Sequence, residues 1–242
     1  MVGSLASQTY TGSALKPAPS VKNGATTLKN GTDYTLSYSS NTKVGTAKVT
    51  ITGKGNYTGT ITKTFKINPA SVAKAKVTTK AQTYTGKSLT PNPTVKVGNK
   101  TLKKNTDYTL TYKNNTKTGK ATVTIKGKGN YTGSISKTFN IKPAKVTGVK
   151  ATSSKKGKVT VKWSNSKGKA ANVTGYKIVV KSGSKTIKTQ YVSGKSSKSK
   201  TITLANKYKG KKVKVYVYAY KTIDKTKVCS AVSSASTVKV KK

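Results

Sequence analysis

The chain of 242 residues is strongly basic, with 49 lysines against three aspartates and a formal net charge of +46. It contains no Arg, Glu or His, and its single cysteine, Cys229, has no partner for an internal disulfide. General acid–base catalysis needs a group that titrates near neutral pH or a pair of carboxylates, and metal sites need several Cys, His, Asp or Glu ligands. The composition therefore predicts that the protein is not an enzyme and holds no metal or cofactor.

One stretch of the sequence occurs twice. Residues 53–59 (GKGNYTG) are followed by residues 63–67 (KTFKI), and both motifs return, nearly unchanged, 74 residues later at 127–133 and 137–141. A fixed offset without insertion or deletion indicates two copies of one folding unit.

Each copy carries turn signals and strands with alternating apolar residues. In the first copy, Asn23-Gly24 is a two-residue hairpin signal, and Pro17 and Pro19 bar a central strand in the segment before it. Period-two alternation predicts these inward-facing residues: Tyr34, Leu36 and Tyr38; Ala47, Val49 and Ile51; and Ile61, Phe65 and Ile67. No helical periodicity competes with these strands, so the predicted fold class is all-β.

From residue 144 the pattern changes but remains typical of strands. Alternating apolar runs at 159–163, 175–180, 201–204 and 213–220 are separated by turn residues. This spacing predicts a β-sandwich.

The predicted architecture is three tandem small β-sandwich or Ig-like modules in an extended array. We place the domains at residues 1–69, 70–143 and 144–242, because the joints before them contain Pro69 and Pro143 and are short and stiff. We expect a monomer, and no apolar run is long enough for a transmembrane segment. A module follows the first four residues at once, which leads us to expect a fragment of a longer protein.

The motifs of residues 8–142, GTDYTLSY at 31–38 and GKGNYTG with KTFKI, resemble the bacterial Ig-like repeats of Gram-positive surface proteins. Residues 143–242 resemble a fibronectin type III domain, with Trp163 matching the core Trp of its second strand and Val217 and Ala219 matching its penultimate strand. Val213 stands where that family usually has a Tyr, which puts the usual tyrosine-corner hydrogen bond in question. The resemblance implies a non-catalytic extracellular stalk or adhesion region at the surface or cell wall of a Gram-positive bacterium.

The lysines concentrate toward the C-terminus, with 8 in residues 1–69 and 26 in residues 144–242. Positive charge at this density attracts polyanions. Lys offers point charges without the bidentate geometry of Arg, which predicts diffuse binding of anionic polymers such as teichoic acid and acidic glycans, and only non-specific binding of nucleic acid. The candidate polyanion-binding residues form three clusters: Lys155, Lys156 and Lys158; Lys195, Lys198 and Lys200; and Lys207, Lys209, Lys211 and Lys212.

Two alternatives remain open. If Tyr57 and Tyr131 are exposed, they are stacking platforms for sugars, and the chain is then a glycan-binding accessory module of a secreted polysaccharide hydrolase. Asp33 and Asp107 recur at equivalent positions, where a carboxylate either bonds nearby backbone N–H groups or assists an isopeptide bond between Lys and Asn. Asp224 is expected in the last hairpin turn.

Overall fold

A computed structural model describes residues 1–164 and 171–242. The regular structure in these ranges is β-strand apart from a short 3-10 helix at Asn206–Tyr208, which confirms the predicted all-β fold. The chain separates into two compact units, described here each by itself: residues 1–77, 94–111 and 124–136 in one, and residues 78–93, 112–123 and 137–242 in the other. The domain boundaries near Pro69 and Pro143 remain a prediction.

The first copy of the repeat is a four-stranded sheet with a small hairpin. Its strands are β1 (Gln8–Thr9), β2 (Lys22–Asn23), β3 (Thr26–Thr27), β4 (Tyr34–Ser39), β5 (Gly45–Gly53) and β6 (Thr60–Asn68). The sheet order is β1-β6-β5-β4, with β1 parallel to β6 and the other pairs antiparallel. Leu36 faces Ile51 across β4 and β5, so the alternating apolar residues meet on one face.

The second copy repeats this sheet. Its strands are β7 (Ala70–Ser71), β8 (Lys76–Thr78), β9 (Gln82–Thr83), β10 (Thr94–Val97), β11 (Lys100–Thr101), β12 (Tyr108–Lys113), β13 (Gly119–Gly127), β14 (Tyr131–Thr132) and β15 (Ser134–Lys142). The order β9-β15-β13-β12 matches that of the first copy, again with a parallel first pair.

The same side-chain hydrogen bonds hold both copies. The Tyr38 hydroxyl donates to Pro17 O at 3.0 Å, and the Tyr112 hydroxyl donates to Pro91 O at 2.7 Å. A second equivalent pair comes from Asn41 and Asn115, whose side-chain amides donate to the carbonyls of Leu15 and Leu89. Each proline segment is therefore fixed to its sheet through its carbonyls rather than as a strand.

The glycines of the GKGNYTG turn are required by close backbone packing. A Cβ added at Gly53 would lie 2.7 Å from Tyr57 O, and one at Gly127 would lie 2.7 Å from Thr132 N. No real side chain tolerates such contacts, so this position admits only glycine.

Two local expectations need correction. Asn23 pairs with Thr26, so the central residues of the first hairpin are Gly24 and Ala25 rather than Asn23 and Gly24. The positive φ of +57° at Gly24 explains the shift, because the turn needs its glycine at the first central position. Ile61 lies on the predicted face of β6 but is 48% exposed, since Phe65 and Ile67 lie over the core and Ile61 lies beyond it.

Residues 144–164 and 171–242 form a sandwich of two sheets. The strands are β16 (Thr147–Thr152), β17 (Lys158–Ser164), β18 (Gly175–Ser182), β19 (Lys185–Ser193), β20 (Ser199–Thr203), β21 (Lys212–Ile223), β22 (Thr226–Cys229) and β23 (Ser236–Lys239). One sheet has the order β16-β17-β20, and the other has the order β19-β18-β21-β22, with β23 also paired to β21.

The inner faces of both sheets make one core. Val159, Val161 and Trp163 of β17 pack with Ile178 of β18 and with alternate residues of β21. Val217 and Ala219 are buried as expected, and Val213 is a buried apolar residue of the same face. The Trp163 ring lies 5.2 Å from the ring of Tyr176.

Tyr176 should make this sandwich sensitive to alkali. Burial raises the pKa of Tyr176 from 10.0 to about 12, against a smaller lowering effect of Trp163. The folded form therefore keeps the phenol proton above pH 10 while the unfolded form loses it, so the stabilising contribution is complete below pH 10 and is lost as pH rises toward about 12. We expect the free energy of unfolding to fall in this window in chemical denaturation.

The control is Tyr176→Phe, which retains the ring without a titrating group. Lysine deprotonation affects both proteins alike, so only the difference between them reports Tyr176. Equal pH slopes in the two proteins would contradict the prediction.

Candidate polyanion-binding surface

The structure brings two of the three predicted lysine clusters together at one end of the sandwich. Gly157, between Lys156 and Lys158, donates its N–H to Lys241 O at 3.0 Å. A Cβ added at Gly157 would lie 3.3 Å from Lys209 Cε, so that lysine also lies beside this turn. Val240 N–H donates to Lys211 O at 2.9 Å. We call this surface the basic end; it comprises Lys155, Lys156, Lys158, Lys207, Lys209, Lys211, Lys212, Lys239, Lys241 and Lys242.

Sequence reasoning missed the C-terminal lysines of the basic end. Lys239 faces Lys212 across β23 and β21, and a Cβ at Gly210 would lie 2.9 Å from Lys242 Cε. The alternation in the last residues, Val238 to Lys242, indicated a final strand that returns to β21. That signal would have placed these lysines beside the others.

The remaining cluster lies elsewhere. Lys198 O accepts the N–H of Trp163 at 2.9 Å, and Lys195 O accepts the Tyr176 hydroxyl at 3.2 Å. Trp163 is five residues along β17 from Lys158, a distance of about 17 Å in an extended strand. Lys195 and Lys198 are therefore separated from the basic end. Lys200, in the edge strand β20, pairs with Val161 and so lies part of the way from these two lysines to the basic end.

A small polar depression lies at the basic end. It has a volume of about 160 Å³ and is lined by two lysines and three hydroxyl residues: Ser154, Lys155, Lys158, Thr160 and Thr201. The hydroxyls of Thr160 and Thr201 are hydrogen-bonded to each other at 2.9 Å. Ammonium and hydroxyl donors converging on one depression suit a phosphate or carboxylate group.

The lysines of the basic end have no carboxylate partner among the described residues. The ion pair found in those ranges joins Lys120 and Asp224 at 2.5 Å, away from this surface. Asp33 and Asp107 accept the backbone N–H groups of Lys29 and Lys103 at 2.7 and 2.8 Å. The basic end is therefore left with uncompensated charge.

Asp33 and Asp107 bind nearby backbone N–H groups, which is the structural role predicted for them as the alternative to an isopeptide bond. Each carboxylate of Asp33 and Asp107 closes the turn before its strand through a backbone hydrogen bond. Asp224 lies in the turn between β21 and β22 with Lys225, and both have positive φ. The prediction for Asp224 is confirmed.

The outward side of the five-stranded sheet carries alternating tyrosines and lysines. Lys177 Nζ lies 5.4 Å from the Tyr218 ring centroid, and Lys227 Nζ lies 5.0 Å from that of Tyr191. These are cation–π distances. We call this surface the tyrosine–lysine face; it comprises Lys177, Lys181, Tyr191, Tyr216, Tyr218, Tyr220 and Lys227.

The alternation in residues 213–220 also predicts this face. In residues 213–220, valines and alanine alternate with polar or aromatic residues, and only the inward set was interpreted. The other set, Tyr216, Tyr218 and Tyr220, lies on the opposite side of the sheet. Tyr216 and Tyr218 are partly exposed there, whereas Tyr220 is covered and is 3% exposed. Tyr191, on β19, is separated from β21 by β18 and is 42% exposed.

The expectation that Tyr131 is exposed is wrong. Tyr131 is 5% exposed, and its ring makes an edge contact with Tyr10 at 5.4 Å between centroids. Burial raises the pKa of its hydroxyl. Tyr57, at the equivalent position of the first copy, is half-buried.

No helix within residues 1–164 and 171–242 is long and apolar enough to cross a membrane. In the same ranges, no three potential metal-ligating side chains of Cys, Asp, Glu or His lie close together.

Comparison with known proteins identifies no family for this chain, and no curated protein matches it. Among solved structures, the FN1–FN3 domains of chicken CNTN1 are 14% identical, with a TM-score of 0.35, and the match covers 83% of this chain and 79% of that one. Three consecutive domains from titin are also 14% identical, with a TM-score of 0.34 and coverage of 100% and 97%.

Proposed function

We propose that the chain is a non-catalytic stalk or adhesion region on the outside of a Gram-positive bacterium, where its lysines hold anionic polymers. The observation that carries this proposal is the basic end, where lysines from three parts of the sequence meet and have no carboxylate partner within residues 1–164 and 171–242. The tandem β-modules and the resemblance of residues 8–142 to surface-protein repeats support the extracellular setting.

The ligand class follows from the chemistry of the basic end. Lys155 and Lys158 share the polar depression with hydroxyl donors, which favours single phosphate or carboxylate groups. Such groups recur along teichoic acid and acidic glycans. Nucleic acid binds only through its phosphates, because lysine lacks the forked geometry that reads bases.

Neutralising the basic end should weaken this binding. We expect the full chain carrying Lys155→Gln, Lys156→Gln, Lys158→Gln and Lys211→Gln to bind teichoic acid at least about tenfold more weakly, since each lost ion contact removes one released counterion. Titration calorimetry at fixed salt measures the change.

A matched control changes the same number of exposed lysines in the first copy: Lys22, Lys29, Lys43 and Lys48, each to Gln. It lowers the net charge equally but leaves the basic end intact. Equal losses in the two variants would show that binding follows net charge alone and would remove the basic end as a site.

The second candidate is the glycan-binding accessory module. This hypothesis can no longer use Tyr131, because that tyrosine is buried. The tyrosine–lysine face offers a different surface for binding sugars. The exposed ring of Tyr191 packs against the buried ring of Tyr220, with centroids 5.6 Å apart, and Lys227 lies over both rings. Aromatic rings of this kind suit the apolar faces of sugars.

A further inference from the structure

Each copy of the repeat contacts the module that follows it through the same two positions. Tyr10 and Tyr84 are equivalent, 74 residues apart, and so are Val44 and Thr118. The contacts of the first copy lie within the first compact unit, and those of the second copy lie within the second unit. The two joints can therefore be compared, each in its own unit.

In the first joint, the first copy lies against the GKGNYTG turn of the second copy. The N–H of Val44 donates to Asn130 Oδ1 at 2.9 Å, and the Tyr10 ring makes its edge contact with Tyr131. Lys100 Nζ donates to the Tyr10 hydroxyl at 3.0 Å. Tyr10 also packs on the core of its own copy, so its ring joins the two modules.

In the second joint, the same two positions meet the sandwich. Thr118 is 6% exposed, and both its N–H and its hydroxyl donate to Ala171 O, at 3.1 and 2.6 Å. Tyr84 packs against the sandwich core. The ion pair of Lys120 with Asp224 adds a charged contact to this joint.

The loop that carries the N–H donor is held in the same way in both copies. The backbone carbonyl of Asn41 accepts the Leu15 N–H at 2.9 Å, and the Asn41 side-chain amide donates to Leu15 O at 2.9 Å. Asn115 makes the same two bonds with Leu89, at 2.9 and 3.0 Å. Each repeat therefore preorganises its own loop, and the two joints differ in the acceptor, a side-chain amide oxygen in one and a main-chain carbonyl in the other.

We propose that Tyr10 with residues 41–45, and Tyr84 with residues 115–119, are the docking end of the repeat, which holds the following module in a fixed orientation and stabilises it. The partner is a β-module of the same chain that presents a carbonyl oxygen to the loop and an apolar or aromatic surface to the tyrosine. Linked domains move relative to one another by default unless such contacts hold them. The inference does not depend on polymer binding, because none of these contacts involves the basic end.

The first test measures amide hydrogen exchange on the full chain by NMR. Because the N–H groups of Val44 and Thr118 donate to the following module, we expect them to exchange at least about tenfold more slowly than those of the exposed neighbours Lys43 and Lys117. Asn130→Ala should remove the protection at Val44, whereas Asn130→Asp keeps an acceptor oxygen and should retain it. Exchange at Val44 that is the same in both variants would overturn the proposal.

The second test measures whether each repeat stabilises the module after it. Tyr84→Ala should lower the melting temperature of the sandwich by about 5 °C, because the sandwich loses a ring that packs against its core. Tyr10→Ala should speed amide exchange over residues 130–133 about tenfold, because the turn that contains Tyr131 loses its cover.

The matched controls are Leu15→Ala and Leu89→Ala, at equivalent positions of the two copies. Leu15 packs on the same core as Tyr10, so its truncation weakens the first copy without removing the docking ring. We expect both leucine variants to leave the following module unchanged. Equal effects of the leucine and tyrosine variants, or no effect of either tyrosine, would contradict the proposal. If Tyr10→Ala unfolds the first copy, the Asn130 variants decide, since they leave its core intact.

Discussion

Replacement of Trp163 by Ala should unfold the sandwich of residues 144–242 while the first copy of the repeat stays folded. Trp163 is 4% exposed and packs against Tyr176 in the core shared by both sheets. Truncating a buried large aromatic side chain costs about 3–5 kcal/mol, and a small domain has little more stability than that. Near-ultraviolet circular dichroism and differential scanning calorimetry measure the loss.

Trp163→Phe is the matched control, because it keeps an aromatic ring in the core and removes less volume. It should lower the melting temperature without abolishing the transition. Phe65, in the core of the first copy, provides the reciprocal test, since Phe65→Ala should affect residues 1–69 and spare the sandwich. A melt unchanged by Trp163→Ala would mean that the ring is not a core element.

Most of the fold could be predicted from the sequence because its signals are local. The alternation of Tyr34, Leu36 and Tyr38 fixes one face of β4, and the repeat at Gly127 fixes the second sheet. Side chains alternate between the two faces of a strand, so the apolar residues of one strand can all face the core in only one register. The hairpin was misplaced by one residue because Asn23 and Gly24 both tolerate positive φ, and pairing with Thr26 decides between them.

The contacts between distant segments could not be predicted in this way. Tyr131 and Tyr57 lie in the same motif, yet only Tyr131 is covered, because Tyr10 packs against it. That difference depends on what neighbours each turn, which the motif itself does not contain. The shared turn therefore led to a wrong prediction of exposure for Tyr131, whereas Tyr57 is half-buried.

The lysine surface was predictable in chemistry but not in position. Counting charges pointed to residues 144–242, but three clusters in sequence became one basic end and one separate group. Backbone pairing decides which lysines lie close together. The N–H of Val240 donates to Lys211 O, and the N–H of Gly157 donates to Lys241 O, which joins the three segments of the basic end. The tyrosine–lysine face was missed because only the inward half of the alternation in β21 was used.

Binding to anionic polymers should depend steeply on salt. Each lysine that meets an anionic group releases a counterion, so log affinity should fall linearly with log salt concentration, as it does for nucleic acids. With six or more contacts at the basic end, affinity should drop by about a thousandfold between about 50 and 200 mM salt. Teichoic acid, heparin and DNA should show similar slopes, because lysines supply charge without shape-specific recognition.

The glycan reading predicts a different salt profile. A neutral polysaccharide held on Tyr191 and Tyr218 would bind almost equally at low and high salt and would be lost with Tyr191→Ala. Fluorescence anisotropy of labelled polymers over a salt series measures both cases on the full chain. Substituting the basic-end lysines should reduce the slope by about one for each contact removed. A slope near zero, with binding lost only on tyrosine substitution, would replace polyanion binding by sugar stacking on the tyrosine–lysine face.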